Sequence, residues 1–178
     1  MNDPSVQFQQ LEANLERLSA HIPDLPVSSV VLSRLLIYLG RGMANKLEQQ
    51  IRPFGLAEIE LRVLTALMSQ PDGAAHPGEL CASTSQSAAN MSRISDALVG
   101  RDLITRVLSQ HDRRKMVLRI TESGEELVRR LLPPLVHPLL DMFADFSENE
   151  QRLLIAQLKL LATKLHEAMA QDVSERAG

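Results

Sequence analysis

Two short apolar segments that enclose a polar stretch limit the folds open to this chain. Residues 103–108 and 116–121 are rich in β-branched and apolar side chains, and the seven residues between them are polar or charged. This pattern predicts a two-stranded hairpin with a charged tip. On both sides of it, apolar residues recur at spacings of three and four, as in amphipathic helices. We therefore expect a mainly α protein of the α+β class, with one small β-ribbon.

Five helices are predicted before the hairpin. They cover about residues 1–22, 28–52, 56–68, 77–83 and 87–100. Ser28 or Ser29 can cap the second helix and Ser87 the fifth, because a hydroxyl oxygen accepts a hydrogen bond from a first-turn amide. Pro77 suits the first position of the fourth helix, where its missing N–H is not needed.

Two helical segments are predicted after the hairpin. Thr121 caps a long helix that three internal prolines should kink or split in two; these are Pro133, Pro134 and Pro138. Residues 147–150 have the form of a capping box and open a last helix. We expect this helix to fray from Gln171 onward.

Charge is distributed unevenly along the chain. The whole sequence has a net charge of −3. Residues 76–119 alone carry seven Lys or Arg against four acids, so this segment is +3 and the remainder −6. A local basic patch indicates a polyanionic partner, whereas total charge mainly affects solubility.

The predicted helix over residues 87–100 has the character of a DNA-recognition helix. One face is assigned to the core by Met91, Ile94, Ser95 and Leu98. The opposite face is small and polar, and an Arg or Asn there can bond guanine or adenine in the major groove. The candidate groove contacts are Gln86, Ser87, Asn90, Ser92 and Arg93. The alternative is an ordinary solvated helix face.

The hairpin tip carries a second candidate contact. Arg113, Arg114 and Lys115 concentrate three cations at the end of a ribbon, where they can reach the minor groove. Asp112 beside them can orient an arginine through a bidentate pair. The alternative is a charged tip that only protects strand edges from aggregation.

Together these segments resemble the MarR family of transcription regulators, within an EmrR-like subgroup of multidrug-efflux repressors. The resemblance spans about residues 32–165 and rests on residues 78–80, 91–98, 103–104, 112–114 and 118–124, with the Leu-Leu-Pro-Pro run at 131–134. The chain departs from the family pattern at Thr84 and Ser85, where Leu and Gly are common. Residues 87–89 are also poorer in polar groups than usual.

The resemblance implies a winged helix-turn-helix with N- and C-terminal dimerisation helices. One structural domain would comprise an N-terminal extension and dimerisation helix (1–55), the DNA-binding module (56–121) and C-terminal dimerisation helices (122–178). It implies a homodimer on a pseudo-palindromic double-stranded DNA operator, repressing an efflux or stress-response operon. A small aromatic or lipophilic weak acid would act as effector and release the DNA.

A candidate effector site lies on the second predicted helix. Arg34, Tyr38 and Arg41 recur at spacings of three and four, and could bind the carboxylate and ring of an aromatic acid. The alternative is that they form interhelical ion pairs and a packed tyrosine.

Other functions find less support. No catalytic motif is present, so we expect no enzyme and no cofactor. The five histidines lack metal-ligand spacing, and Cys81 is expected to be a small core residue rather than a redox sensor. We expect a cytoplasmic protein without a membrane partner. The sequence has one cysteine, its start does not resemble a signal peptide, and no apolar run approaches the ~20 residues that a membrane-spanning helix needs. The remaining alternative is a helical protein–protein adaptor that does not bind DNA.

Overall fold

Helices make up most of the residues that this computed structural model describes, which are 4–22, 24–108 and 116–177, with side chains as far as residue 172. The chain divides into two compact units, Met1–Val128 and Arg129–Gly178. In chain order the elements are α1 (Pro4–Ser19), α2 (Val27–Ile51), a 3₁₀ turn (Arg52–Phe54), α3 (Glu58–Met68), β1 (Ala74–Ala75), α4 (Pro77–Thr84), α5 (Ala88–Gly100), β2 (Ile104–Leu108), β3 (Met116–Ile120), α6 (Glu122–Met142) and α7 (Glu148–Ala177). The predicted fold class, mainly α with one hairpin, is confirmed.

The predicted starts of α4, α5 and α6 are confirmed. The Ser87 hydroxyl accepts from the Asn90 N–H at 3.2 Å, and the Thr121 hydroxyl accepts from the Gly124 N–H at 3.1 Å. Pro77 is the first residue of α4. α2 begins at Val27, within one residue of the predicted start, but the predicted serine cap is wrong because no side chain caps the helix. The Pro26 carbonyl already accepts from the Val30 N–H at 3.0 Å, so the helical ladder precedes both serines.

The sheet has one strand more than the predicted hairpin. Its order is β1-β3-β2, and both pairings are antiparallel. The hairpin register pairs Ile104 with Ile120 and Leu108 with Met116. The strand β1 follows Gly73, whose φ of +65° turns the chain and whose carbonyl accepts from the Ile120 N–H at 2.9 Å. Two alanines are too short a segment to show the alternation that predicts a strand.

The core of the first unit lies among α3, α4, α5 and the sheet. Val63, Leu64 and Leu67 of α3 are fully buried, as is Leu98 of α5, and Leu80 of α4 is nearly so. Met91, Ile94 and Ser95 are also buried, which confirms the predicted core face of α5. This packing turns the opposite face of α5 to solvent.

The prolines of α6 do not divide it. Pro133, Pro134 and Pro138 all lie inside one continuous helix, so the predicted possibility of a split is wrong. The helix persists although each proline lacks the N–H of one ladder hydrogen bond. α7 likewise continues to Ala177, past the residue where fraying was expected.

One helical stretch, Val27–Phe54, is long and apolar enough to cross a membrane by length and composition alone, although no such stretch was expected from the sequence. Only 6% of its most apolar window is buried inside the structure. The stretch also carries Arg34, Arg41 and Lys46, and such charges are expensive in the bilayer centre. Exposed apolar surface of this extent is typical of an interaction site.

Candidate nucleic-acid interface

A tight turn joins α4 to α5. Ser85, the residue after α4, has φ +56° and ψ +41°, a left-handed conformation that glycine adopts more readily. The buried Thr84 hydroxyl donates to the Leu80 carbonyl, and the Gln86 N–H donates to the Cys81 carbonyl at 2.9 Å. The turn is therefore built in spite of the two departures from the family pattern.

The first turn of α5 is held by its own side chains. The Asn90 amide donates to the Gln86 side-chain oxygen at 2.5 Å, and the Gln86 amide donates to the Thr84 carbonyl at 3.2 Å. Both residues are half-buried, whereas Ser87, the N-cap, is exposed. Two of the five predicted groove contacts are thus fixed to each other at the helix end that meets bases in a helix-turn-helix.

The outward face of α5 is exposed as predicted. Ser92 and Arg93 lie on it with two alanines and an aspartate. Across the part of the chain that the structure describes, the Arg93 guanidinium forms no ion pair. It is therefore available for a bidentate contact with a base or a phosphate.

Asp96, the acid on this face, has a partner that sequence reasoning missed. Its carboxylate lies 2.5 Å from the guanidinium of Arg106, and the pair links α5 to β2. Both side chains remain substantially exposed. No local signal could have paired them, because the contact depends on where β2 crosses α5. The pair neutralises a carboxylate that would otherwise repel phosphates.

The predicted wing contacts lie outside the described residues. Asp112, Arg113, Arg114 and Lys115 fall within residues 109–115, so their role remains a sequence prediction. The strands on either side are described, and their last pair is Leu108 with Met116.

A cavity of about 400 Å³ adjoins α5 on the side of α4 and the sheet. It is lined by Pro77, Gly78, Cys81, Ala88, Met91, Ser92, Ser95, Asp96, Arg106 and Leu118. Cys81 was expected in the core, but it is a free, half-buried thiol on the wall of this cavity. Within the described residues no group of three or more His, Cys, Asp or Glu is placed to hold a metal.

The candidate effector residues are spread along an exposed face of α2. The Tyr38 ring packs edge-to-face on Phe8 of α1, with 5.4 Å between centroids and an angle of 84°. Arg34 and Arg41 are both exposed, and neither has an ion pair within the described chain. The packed tyrosine weighed as the alternative is therefore observed, whereas the interhelical ion pairs are not.

A short helix, a tight turn, a second helix with an exposed polar face and an antiparallel ribbon define a winged helix-turn-helix protein. Comparison with known proteins agrees. A family model described as MarR family matches residues 54–115. The transcriptional repressor MprA of Escherichia coli K12 is 29% identical over 165 residues, which cover 93% of each chain.

Solved structures extend the likeness beyond the matched segment. AbsC, a MarR family regulator from Streptomyces coelicolor, superposes with a TM-score of 0.69 at 25% identity, covering 76% of this chain and 93% of AbsC. A second MarR family regulator from that organism, solved in complex with DNA, has a TM-score of 0.72 at 20% identity and covers 79% of this chain and 89% of its own. Residues 54–115 thus match the MarR family model, and the similarity to MarR family regulators extends over most of the chain. These relatives are regulators rather than enzymes, in agreement with the sequence prediction.

Proposed function

We propose that this protein is a cytoplasmic repressor that binds a pseudo-palindromic DNA operator as a homodimer and is released by a small weak-acid effector. The observation that carries the proposal is the outward face of α5. Arg93, which has no ion-pair partner among the described residues, and the polar Ser92 project there from a helix whose other face is buried. A side chain of this kind can specify a guanine in the major groove. MprA, the similar E. coli protein, is a transcriptional repressor, and the similar Streptomyces regulator was solved bound to DNA.

The terminal helices support the homodimer. Eight large apolar side chains of α7 are between 38% and 62% exposed; they are Leu153, Leu154, Ile155, Leu158, Leu160, Leu161, Leu165 and Met169. α2 adds others, among them Leu32 and Leu39. Apolar surface on this scale marks an interface. A second copy would cover both helices and place two α5 helices on one operator, so no membrane is needed to cover α2.

The basic wing extends the proposed interface. We expect Arg113, Arg114 and Lys115 to contact phosphates or the minor groove, with Asp112 orienting them. Such contacts are sequence-independent and make binding depend steeply on salt.

The effector is proposed to bind at the exposed face of α2. Arg34 and Arg41 are cations without an ion-pair partner in the described chain, and Tyr38 lies between them in sequence with its ring already packed on Phe8. An aromatic carboxylate can pair with the guanidinium and stack beside the ring. We infer an efflux or stress-response operon as the target because such effectors are lipophilic acids that a cell would export.

The first experiment is fluorescence anisotropy of the protein on its own upstream intergenic DNA and on a scrambled duplex, between about 50 and 200 mM salt. Tighter binding to the upstream duplex, two chains per site and a steep salt slope are expected. Absence of binding to either duplex at low salt would overturn the proposal and favour a protein–protein adaptor.

Two variants separate the two kinds of contact. Arg93→Ala should weaken binding by roughly 1–3 kcal/mol and relax preference at particular base pairs. Arg114→Ala should weaken binding to all sequences and lower the salt slope by about one. Arg62→Ala is the matched control, since Arg62 is an exposed arginine of α3 paired with Glu58 at 3.6 Å. Equal losses for Arg93→Ala on every sequence would contradict base recognition.

The effector site has its own test. Benzoate should lower operator affinity in the wild type, while benzamide, its neutral counterpart, should not. Arg34→Met and Arg41→Met should reduce the response to benzoate without changing affinity in its absence. A full response in both variants would move the effector away from α2 and leave the DNA-binding proposal intact.

A further inference from the structure

Three parts of the first unit meet at the side chain of Arg101. This residue follows α5 as its C-cap. Its guanidinium donates to the Gly55 carbonyl at 2.7 Å and to the Phe54 carbonyl at 3.0 Å, both in the turn that ends α2. It also lies 3.7 Å from the carboxylate of Glu60 in the first turn of α3.

The turn after α2 has backbone carbonyls without donors from its own helix, and Arg101 donates to two of them. Ile51, the last residue of α2, is fully buried, and the 3₁₀ turn after it ends at Gly55 with φ +64°. Carbonyls at the end of a helical segment lack intrahelical partners and carry partial negative charge, which favours a cation. Arg101 supplies that cation from a site 46 residues further along the chain.

Glu60 gives the contact a fixed geometry. Its carboxylate accepts from the Ala57 N–H at 2.8 Å, which closes the start of α3, and its side chain is only 13% exposed. The Arg101 side chain is 36% exposed, so the guanidinium is bounded by protein on one side. The planar guanidinium of arginine can donate to the two carbonyls and face the carboxylate at the same time. A lysine ammonium cannot present two parallel donors in a fixed plane.

We propose that Arg101 is a positioning residue that sets the orientation of α5 relative to the end of α2. The inference rests on the proposed function, in which α2 belongs to the dimer and α5 enters the groove. Arg93 lies within α5, about two helical turns before Arg101. A change in the angle of α5 would therefore displace the groove contacts of each subunit and alter the distance between the two α5 helices.

The test uses two variants of the full-length protein. Arg101→Met keeps an apolar side chain and removes the hydrogen-bond donors, whereas Arg101→Lys keeps the positive charge but lacks the planar guanidinium. Arg62→Met is the control, because it removes an exposed arginine ion pair from the same unit. Affinity is measured for the operator, for operators with one base pair added to or removed from the half-site spacing, and for scrambled DNA. Measurements are made below the thermal transition of every variant.

Both Arg101 variants should lose about tenfold in operator affinity, an effect the size of one mismatched base pair. They should discriminate less between half-site spacings, keep the affinity for scrambled DNA and keep the salt slope. Arg62→Met should behave as the wild type. Wild-type spacing preference in both Arg101 variants would overturn the proposal. So would a parallel loss on scrambled DNA with a lower slope, which would make Arg101 a phosphate contact.

Amide hydrogen exchange separates this inference from the proposed function. Loss of the contact should speed exchange in residues 54–57 and near the C-terminus of α5 in both Arg101 variants, but not in Arg62→Met. This holds whether or not the wild type binds DNA. Unchanged exchange in both segments would reject the coupling, and failure of wild-type DNA binding alone would reject only the proposed function.

Discussion

Substitution of Gly124 by alanine is the sharpest test of the packing between α6 and the sheet. A Cβ at this position would overlap the Leu103 carbonyl oxygen and would lie 2.9 Å from Cγ1 of Ile120. The backbone of α6 thus approaches the segment after α5 so closely that only a hydrogen fits. The nearest neighbour is a backbone carbonyl, which cannot move aside as the end of a flexible side chain can.

The expected loss follows from these contacts. Overpacking of this kind costs about 1–3 kcal/mol, and a backbone neighbour places it toward the upper end. Relief by moving α6 outward would stretch two hydrogen bonds: the Thr121 N–H to the Leu103 carbonyl, and the Gly124 N–H to the Thr121 hydroxyl, both 3.1 Å. Each contributes about 1 kcal/mol. Alanine has a higher helix propensity than glycine, which stabilises the variant by at most about 1 kcal/mol. We therefore expect Gly124→Ala to lower the free energy of unfolding by roughly 2–3 kcal/mol.

The assay is urea denaturation followed by circular dichroism, at equal protein concentrations because a dimer's apparent stability depends on concentration. Gly100→Ala is the matched control. Gly100 is the last residue of α5 and a Cβ there would meet nothing within 4 Å, so its replacement should be neutral or stabilising. If Gly124→Ala unfolds within about 0.5 kcal/mol of the wild type, the reasoning from close backbone approach is refuted.

Three further predictions follow from local geometry. Ser85→Gly should raise unfolding free energy by up to about 1 kcal/mol, because glycine adopts the left-handed conformation without strain; a decrease in urea denaturation would contradict this. Asp96→Asn should change stability by less than about 1 kcal/mol, because its pair with Arg106 is exposed; a larger loss would show that the pair supports the fold. Hydrogen bonds from Ser147 lower the pKa of Glu150 below its ordinary value. The stability that this carboxylate adds is therefore complete above the ordinary glutamate pKa and is lost as pH falls through the lowered one. NMR titration should show the low pKa, and Ser147→Ala should raise it; an unchanged pKa in that variant would assign the shift to another cause.

Much of the fold could be predicted because its determinants are local. The core face of α5 follows from residues three and four apart, and the caps at Ser87, Thr121 and Ser147 each act within three residues of their own position. The hairpin follows from two adjacent segments. Interactions over such short separations are visible in the sequence, because helix and hairpin geometry bring near neighbours together in any tertiary context.

The same locality explains the errors. α2 begins one residue before its predicted cap because the carbonyl of Pro26 suffices to start the ladder. The prolines of α6 predicted a kink or a split, and the split is wrong because the backbone remains helical through all three. β1 was missed since two alanines become a strand only where β3 offers them partners.

The sequence by itself determined most of the helices, the β2–β3 hairpin, the buried face of α5 and the resemblance to the MarR family, because periodicity, caps and short motifs are properties of neighbouring residues. Only the tertiary structure decided that Asp96 pairs with Arg106, that Arg101 binds the end of α2, and that Cys81 lines a cavity. It also decided that Gly124 must lack a side chain. Each of these depends on residues brought together from distant parts of the chain by packing of the whole core, and no local pattern encodes which of them will meet.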